Sequence, residues 1–240
     1  MNVYPMLKET GAKNNRYYGV VVGIVTNNQD PEGLGRVKLK IPNLVAAGGS
    51  DLETDWARVA SLFAGPQRGI FFLPEVNDEV LVAFNGGSIL EPYVVGALWN
   101  TNDKPPVTGK DEYVGSDGKI KVYKVKTKQG HEFIFNDEAG KESITLKSKA
   151  GATIMLDDQN KKIEIKDSSG NNTMTIDTNG NAITVKANTK VELVVSGNKV
   201  TIEASGITIQ SSGSLKLKGS TINIEASGPT TIKGAVVNIN

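Results

Sequence analysis

The chain has 240 residues, with 27 Lys+Arg against 26 Asp+Glu, a formal net charge of +1 and no cysteine. That length permits one large domain or two modest ones. The cysteine count excludes a disulfide scaffold, a thiolate metal site and a cysteine nucleophile, and the even charge argues against a nucleic-acid binder. The distribution is uneven: every Phe, Tyr and Trp lies at or before Phe135, and eight of nine Pro lie at or before Pro106. Residues 1–100 carry 8 basic against 10 acidic side chains and residues 101–240 carry 19 against 16, so neither half is strongly charged.

Residues 1–18 read as a short lead segment. They hold no apolar run of signal-peptide length, and the longest apolar-plus-glycine stretch, Gly19 to Val25, is far below the roughly 20 residues of a membrane helix. From Tyr18 to Trp99, β-branched runs alternate with Gly, Pro, Asn and Asp, which predicts strands at Val20 to Thr26, Arg36 to Ile41, Trp56 to Leu62, Gly69 to Leu73, Glu79 to Phe84 and Tyr93 to Leu98. DPEGLG (30–35) is a turn, with Pro31 presetting φ and Gly33 and Gly35 able to take positive φ. Strands this short, in this number, suit a small Greek-key barrel of the OB type. The aromatics of GIFFLP (69–74) are expected in its core rather than as a stacking platform for bases.

The segments DPEGLGRVKLKIP (30–42), WARVA (56–60), RGIFFLPEVNDEVLVAF (68–84) and EPYVVGALWN (91–100) resemble the OB domain of contractile-tail spike proteins, the family of phage baseplate assembly protein V and the VgrG spikes. The resemblance continues through GHEFIFNDEAGKESITLKSKAGATIMLDD (130–158). It implies a chain made in the bacterial cytoplasm without a signal peptide and built into a virion baseplate or phage-like injection particle. Residues 101–130 leave room for a neck only, with no lysozyme domain between barrel and rod.

From residue 131 on, the chain is a repeat. Apolar pairs at alternate positions recur at Ile144/Leu146, Ile154/Leu156, Ile163/Ile165, Met174/Ile176, Ile183/Val185, Leu193/Val195, Val200/Ile202, Ile207/Ile209, Leu215/Leu217, Ile222/Ile224 and Val237/Ile239, with Thr230/Ile232 a degraded member. Each unit is a short strand and a tight turn, with residues i and i+2 facing one way. Two inward side chains per strand cannot shelter themselves, and a lone strand leaves both edges unpaired. The expectation is therefore an obligate homotrimer whose chains wind about one axis, with Ile202, Ile207, Ile209, Leu215, Leu217, Ile222 and Ile224 in the shared core.

The fold class expected is all-β: an N-terminal OB-fold barrel (19–100), a neck (101–130) and an intertwined trimeric, triple-stranded β-helix needle (131–240). By resemblance, the blunt end GPTTIKGAVVNIN (228–240) docks a separate PAAR-repeat tip protein through Thr230, Ile232, Val237, Ile239 and Asn240. A tail-tube-like hub protein seats the barrels, with Tyr4, Tyr17 and Tyr18 as candidate contacts. The needle would meet a target membrane only transiently, with no nucleic-acid partner, cofactor, metal or enzymatic activity. His131 beside Glu132 and Asp137 reads as a neck histidine rather than a metal site, because one imidazole lacks a second strong ligand. Asp157/Asp158 and Asp137/Glu138 read as solvated turns rather than a glycosidase pair. The competing reading is a trimeric β-helical fibre that binds or depolymerises glycans.

Overall fold

The computed structural model describes residues 16–45, 51–107 and 109–238. Expectations placed on Tyr4, Ile239 and Asn240 fall outside the described residues. The chain divides into two units, Met1–Thr108 and Gly109–Asn240.

The first unit contains β1 (Val20–Asn27), β2 (Arg36–Val45), β3 (Asp51–Glu53), β4 (Ala57–Val59), β5 (Ala64–Gly65), β6 (Arg68–Gly69), β7 (Glu79–Phe84) and β8 (Pro92–Ala97). Strands β1, β7, β8, β4 and β2 pair in that order and β2 returns to β1, closing a five-stranded barrel to which β3 adds an outer strand. Every pair in it is antiparallel except β4 with β8. Alternation drives the closure: Val80, Val82 and Phe84 of β7 are buried, together with Val25, Val37, Leu39, Ile41, Ala57 and Val94. Gly23 permits the close approach of strands, since a Cβ there would lie 2.9 Å from Val82 Cγ2.

The strands at Val20, Arg36, Glu79 and Pro92 lie where the alternation places them. The one expected over Gly69–Leu73 does not form. The chain there is a tight hairpin of β5 and β6, closed by Ile70 N–H donating to the Phe63 carbonyl at 3.0 Å. Ser61 Oγ donates to the Ile70 carbonyl at 2.6 Å. Phe71 and Phe72 are 77% and 69% exposed, so the core role expected for GIFFLP is corrected. The barrel interior is already filled by aliphatic side chains from the pairing strands, and a short apolar run carries no periodicity that distinguishes a core strand from an apolar loop.

The second unit holds α1 (Lys110–Tyr113) and then β9 (Val122–Lys126), β10 (Glu132–Asn136), β11 (Ser143–Lys147), β12 (Thr153–Asp157), β13 (Lys162–Lys166), β14 (Thr173–Asp177) and β15 (Ala182–Lys186). These seven strands form one antiparallel meander in sequence order, which begins inside the segment expected as neck. A three-stranded antiparallel sheet follows, of β16 (Lys190–Val195), β17 (Asn198–Glu203) and β18 (Gly206–Gln210). Residues 211–238 contain no strand. The edges expected to lie unpaired in a single chain are corrected here: β10 to β14 are each hydrogen-bonded on both sides by the same chain. Connections of about five residues are long enough for a local hairpin, which needs no second chain. What remains unpartnered is a face.

Candidate functional site

The face is a pair of parallel ladders. Cross-strand register aligns Tyr123, Phe135, Ile144, Leu156, Ile163, Ile176 and Ile183 in one column. The second column is Val125, Phe133, Leu146, Ile154, Ile165, Met174 and Val185. Because side chains alternate along a strand, both columns point the same way and Lys124, Thr145, Glu164 and Thr175 point the other. The apolar columns are the less covered side: apart from Phe133 and Ile176, their members are 38–69% exposed. By contrast Thr145, Met155, Glu164 and Thr175 are half-buried. Among the described residues, no hydrophobic side chain beyond Val94 is fully buried.

Local chemistry fixes this register. In the β12–β13 connection, Asp157 accepts from Asn160 N–H at 2.8 Å and from its amide at 2.8 Å, and Lys161 turns with φ 52°. The β14–β15 connection repeats the device: Asp177 accepts from Gly180 N–H at 2.9 Å and Asn181 turns with φ 49°. A short polar side chain satisfying the turn backbone is what makes Asp and Asn recur at this spacing. The hydrogen bonds from Asn160 hold the Asp157 carboxyl below its ordinary range, and those from the Gly180 backbone do the same for Asp177. Ion pairs on the polar side, Lys126–Glu132 at 3.1 Å and Lys166–Glu164 at 3.2 Å, hold the charged side chains against the sheet.

The residues expected in a shared core fall into two groups. Ile202 lies opposite Ile207, and Val200 opposite Ile209, so β17 and β18 continue a one-sided apolar ladder, with Ile207 70% exposed. Leu215, Leu217, Ile222 and Ile224 are all at least half-exposed and lie outside any strand. Thr230, Ile232 and Val237 are likewise exposed and outside strands.

The polar candidates make local contacts. His131 Nδ1 accepts from Lys149 N–H at 3.3 Å, and the described residues contain no group of three or more side chains suited to hold a metal ion. Glu138 lies 3.0 Å from Lys141 and 3.7 Å from Lys121, and the Lys141 ammonium holds its carboxyl low. A glycosidase general acid needs the opposite shift. On the barrel, Arg36 and Arg58 are direct cross-strand partners. Their charges are engaged locally: Arg36 pairs with Asp30 at 2.7 Å and Glu32 at 3.0 Å, and Arg58 bonds the Tyr93 hydroxyl and lies over its ring. Among the described residues no helix is long and apolar enough to cross a membrane.

Sequence reasoning missed one surface, the exposed aliphatic and aromatic side chains of the loop between β4 and β7. Their clustering beside Pro66, Gly65 and Gly69 was the available signal, since turn formers inside an apolar run mark a loop.

A closed five-stranded barrel followed by strands with one uncovered apolar face defines an OB-domain protein with a β extension. Residues 21–99 match the family of the type VI secretion system/phage-baseplate injector OB domain, and the chain is similar to VgrG-like baseplate spikes. It is 32% identical over 115 residues to the actin cross-linking toxin VgrG1 of Vibrio cholerae, covering 47% of this chain and 10% of that protein. With the type VI secretion system spike protein VgrG3 of the same species it shares 32% identity over 136 residues, 53% of this chain and 13% of the relative. The spike protein VgrG2a of Pseudomonas aeruginosa is 30% identical over 121 residues, 50% of this chain and 14% of the relative. The matches therefore span only about a tenth to a seventh of the relatives' length.

Proposed function

We propose that the chain is the non-enzymatic central spike of a contractile phage tail or phage-like injection system, acting as a homotrimer. In this reading the ladders of three copies face one another, and the strandless segment 211–238 forms an intertwined, triple-stranded β-helix between copies. A tail-tube-like hub protein seats the barrels. A PAAR-repeat tip protein caps the end, against Thr230, Ile232 and Val237.

One observation carries the reading. Apart from Phe133 and Ile176, the side chains of the two aligned columns of β9 to β15 are 38–69% exposed in the single chain, a contiguous apolar surface of the kind that marks an interaction site. Three copies meeting ladder to ladder bury it symmetrically, leaving outside the Lys, Thr and Glu that line the other face of the sheet. A sheet whose hydrogen bonds break only together resists bending, which is the mechanical property a needle requires.

Light scattering tests it. The whole chain should give three times 25.6 kDa, about 77 kDa, resistant to dilution and detergent, and the chain ended after Pro106 should be monomeric. A stable monomer of the whole chain at micromolar concentration overturns the proposal.

A further inference from the structure

The exposed apolar side chains of the barrel are not scattered. Leu34, Leu62, Phe63, Phe71 and Phe72 are 66%, 95%, 52%, 77% and 69% exposed. They gather at one end, where three observations coincide. The loop joining β1 and β2 lies there, since Asn27 pairs with Lys38. The start of β7 lies there, because Asn77 N–H donates to the Val25 carbonyl at 2.8 Å. The exit of the chain from β8 lies there as well, because Leu98 N–H donates to the Glu79 carbonyl at 2.9 Å.

The platform is rigid. Asp30, whose side chain is 3% exposed, accepts from the N–H groups of Glu32, Leu34 and Arg36 and from the Arg36 guanidinium. Phe71 packs beside that loop at Gly35, where an added Cβ would lie 3.0 Å from the ring's Cε2. Leu34 and Phe71 are thus held outward by fixed backbone, and such a patch on a soluble surface marks a contact.

We infer that this collar is a contact between copies of the chain: in the trimer, the barrel of one copy packs its Leu34, Leu62, Phe71 and Phe72 against the barrel of its neighbour. The inference rests on the trimeric reading above. The occupant follows from tethering. Residues 98–121 join the last barrel strand to the first strand of the ladder sheet. Even as a fully flexible chain they span only about 25–30 Å root mean square. Three assembled ladders therefore hold three barrels at an effective concentration on the order of millimolar, by the ends from which the chains leave. At that concentration an apolar collar too weak to dimerise free barrels closes on its neighbours.

Two measurements on the full-length chain test this. Arg68 is exposed in the collar hairpin of the single chain, so trypsin reports whether the collar is covered. In the trimer, cleavage after Arg68 should be at least about tenfold slower than in the Phe71→Glu/Phe72→Glu variant, while light scattering shows both to be trimers. Because the chain has no native cysteine, Leu62→Cys supplies a single thiol, and a short bismaleimide should link it into covalent dimers and trimers. Equal cleavage rates in two intact trimers, or no cross-linked species from the Leu62→Cys trimer, overturns the collar and points to a different protein on it. Failure of the wild-type chain to trimerise overturns the parent reading instead, and the two failures are told apart by molar mass.

Discussion

Ile154→Ala isolates the ladder's contribution to assembly. Ile154 lies mid-column between Leu146 and Ile165 and is 42% exposed in the single chain. If that surface stays in water, truncation costs at most about 1 kcal/mol, roughly half the transfer value of the removed methylenes. If two other copies cover it, each copy loses a fully buried aliphatic side chain, about 2–5 kcal/mol, and the trimer loses about 6–15 kcal/mol. Even the lower figure shifts the equilibrium between the trimer and three unfolded chains by a factor on the order of 10⁴. Guanidinium unfolding at several protein concentrations, followed by sedimentation, reads both quantities. Thr175→Ala, on the opposite face of the same sheet, is the control and should change little. A loss below about 1 kcal/mol per chain with a concentration-independent midpoint would refute the covered ladder.

Asp30→Ala should leave Arg36 and the amides of Glu32 and Leu34 without their shared acceptor; hydrogen exchange at these amides should rise and barrel melting should fall, with the molar mass unchanged. Carboxyls of the second unit, among them Asp117, Asp157, Asp167 and Asp177, are held below their ordinary range by hydrogen bonds from neighbouring side chains and turn amides. A depressed folded-state value adds stability above the unfolded pKa near 4, lost as pH falls through the folded value. Denaturant midpoints should therefore be flat from about pH 5 upward and drop below about pH 4; a rise on acidification would contradict the assigned partners. Ser196 turns with φ 52° ahead of Gly197 in the β16–β17 hairpin. Ser196→Asn should stabilise that hairpin by a few tenths of a kcal/mol, up to about 1, because Asn takes the left-handed φ held by Ser196 more readily than Ser does; a lowered unfolding midpoint would count against that turn geometry.

Much of this was legible in residue order. Alternation placed β1, β2, β7 and β8 because each barrel strand has one side in the core, and the apolar doublets placed β11 to β18 because an i, i+2 pattern has only one extended-chain solution. DPEGLG announced its turn, but the sequence did not show that Asp30 binds Arg36, a pairing made by the fold of the loop.

Sequence by itself determined which side chains share a face, since that follows from the two-residue period of a strand and from Asp, Asn and Gly in the connections. Only the tertiary structure decided what each strand pairs with: the connections let the chain fold back on itself, so β10 to β14 find both hydrogen-bond partners at home and leave uncovered the apolar side of the sheet. It also decided that Phe71 and Phe72 lie outside. A barrel closed by five strands has a fixed interior volume, and Val25, Leu39, Ile41, Val80 and Val82 occupy it before any aromatic from the loop can enter.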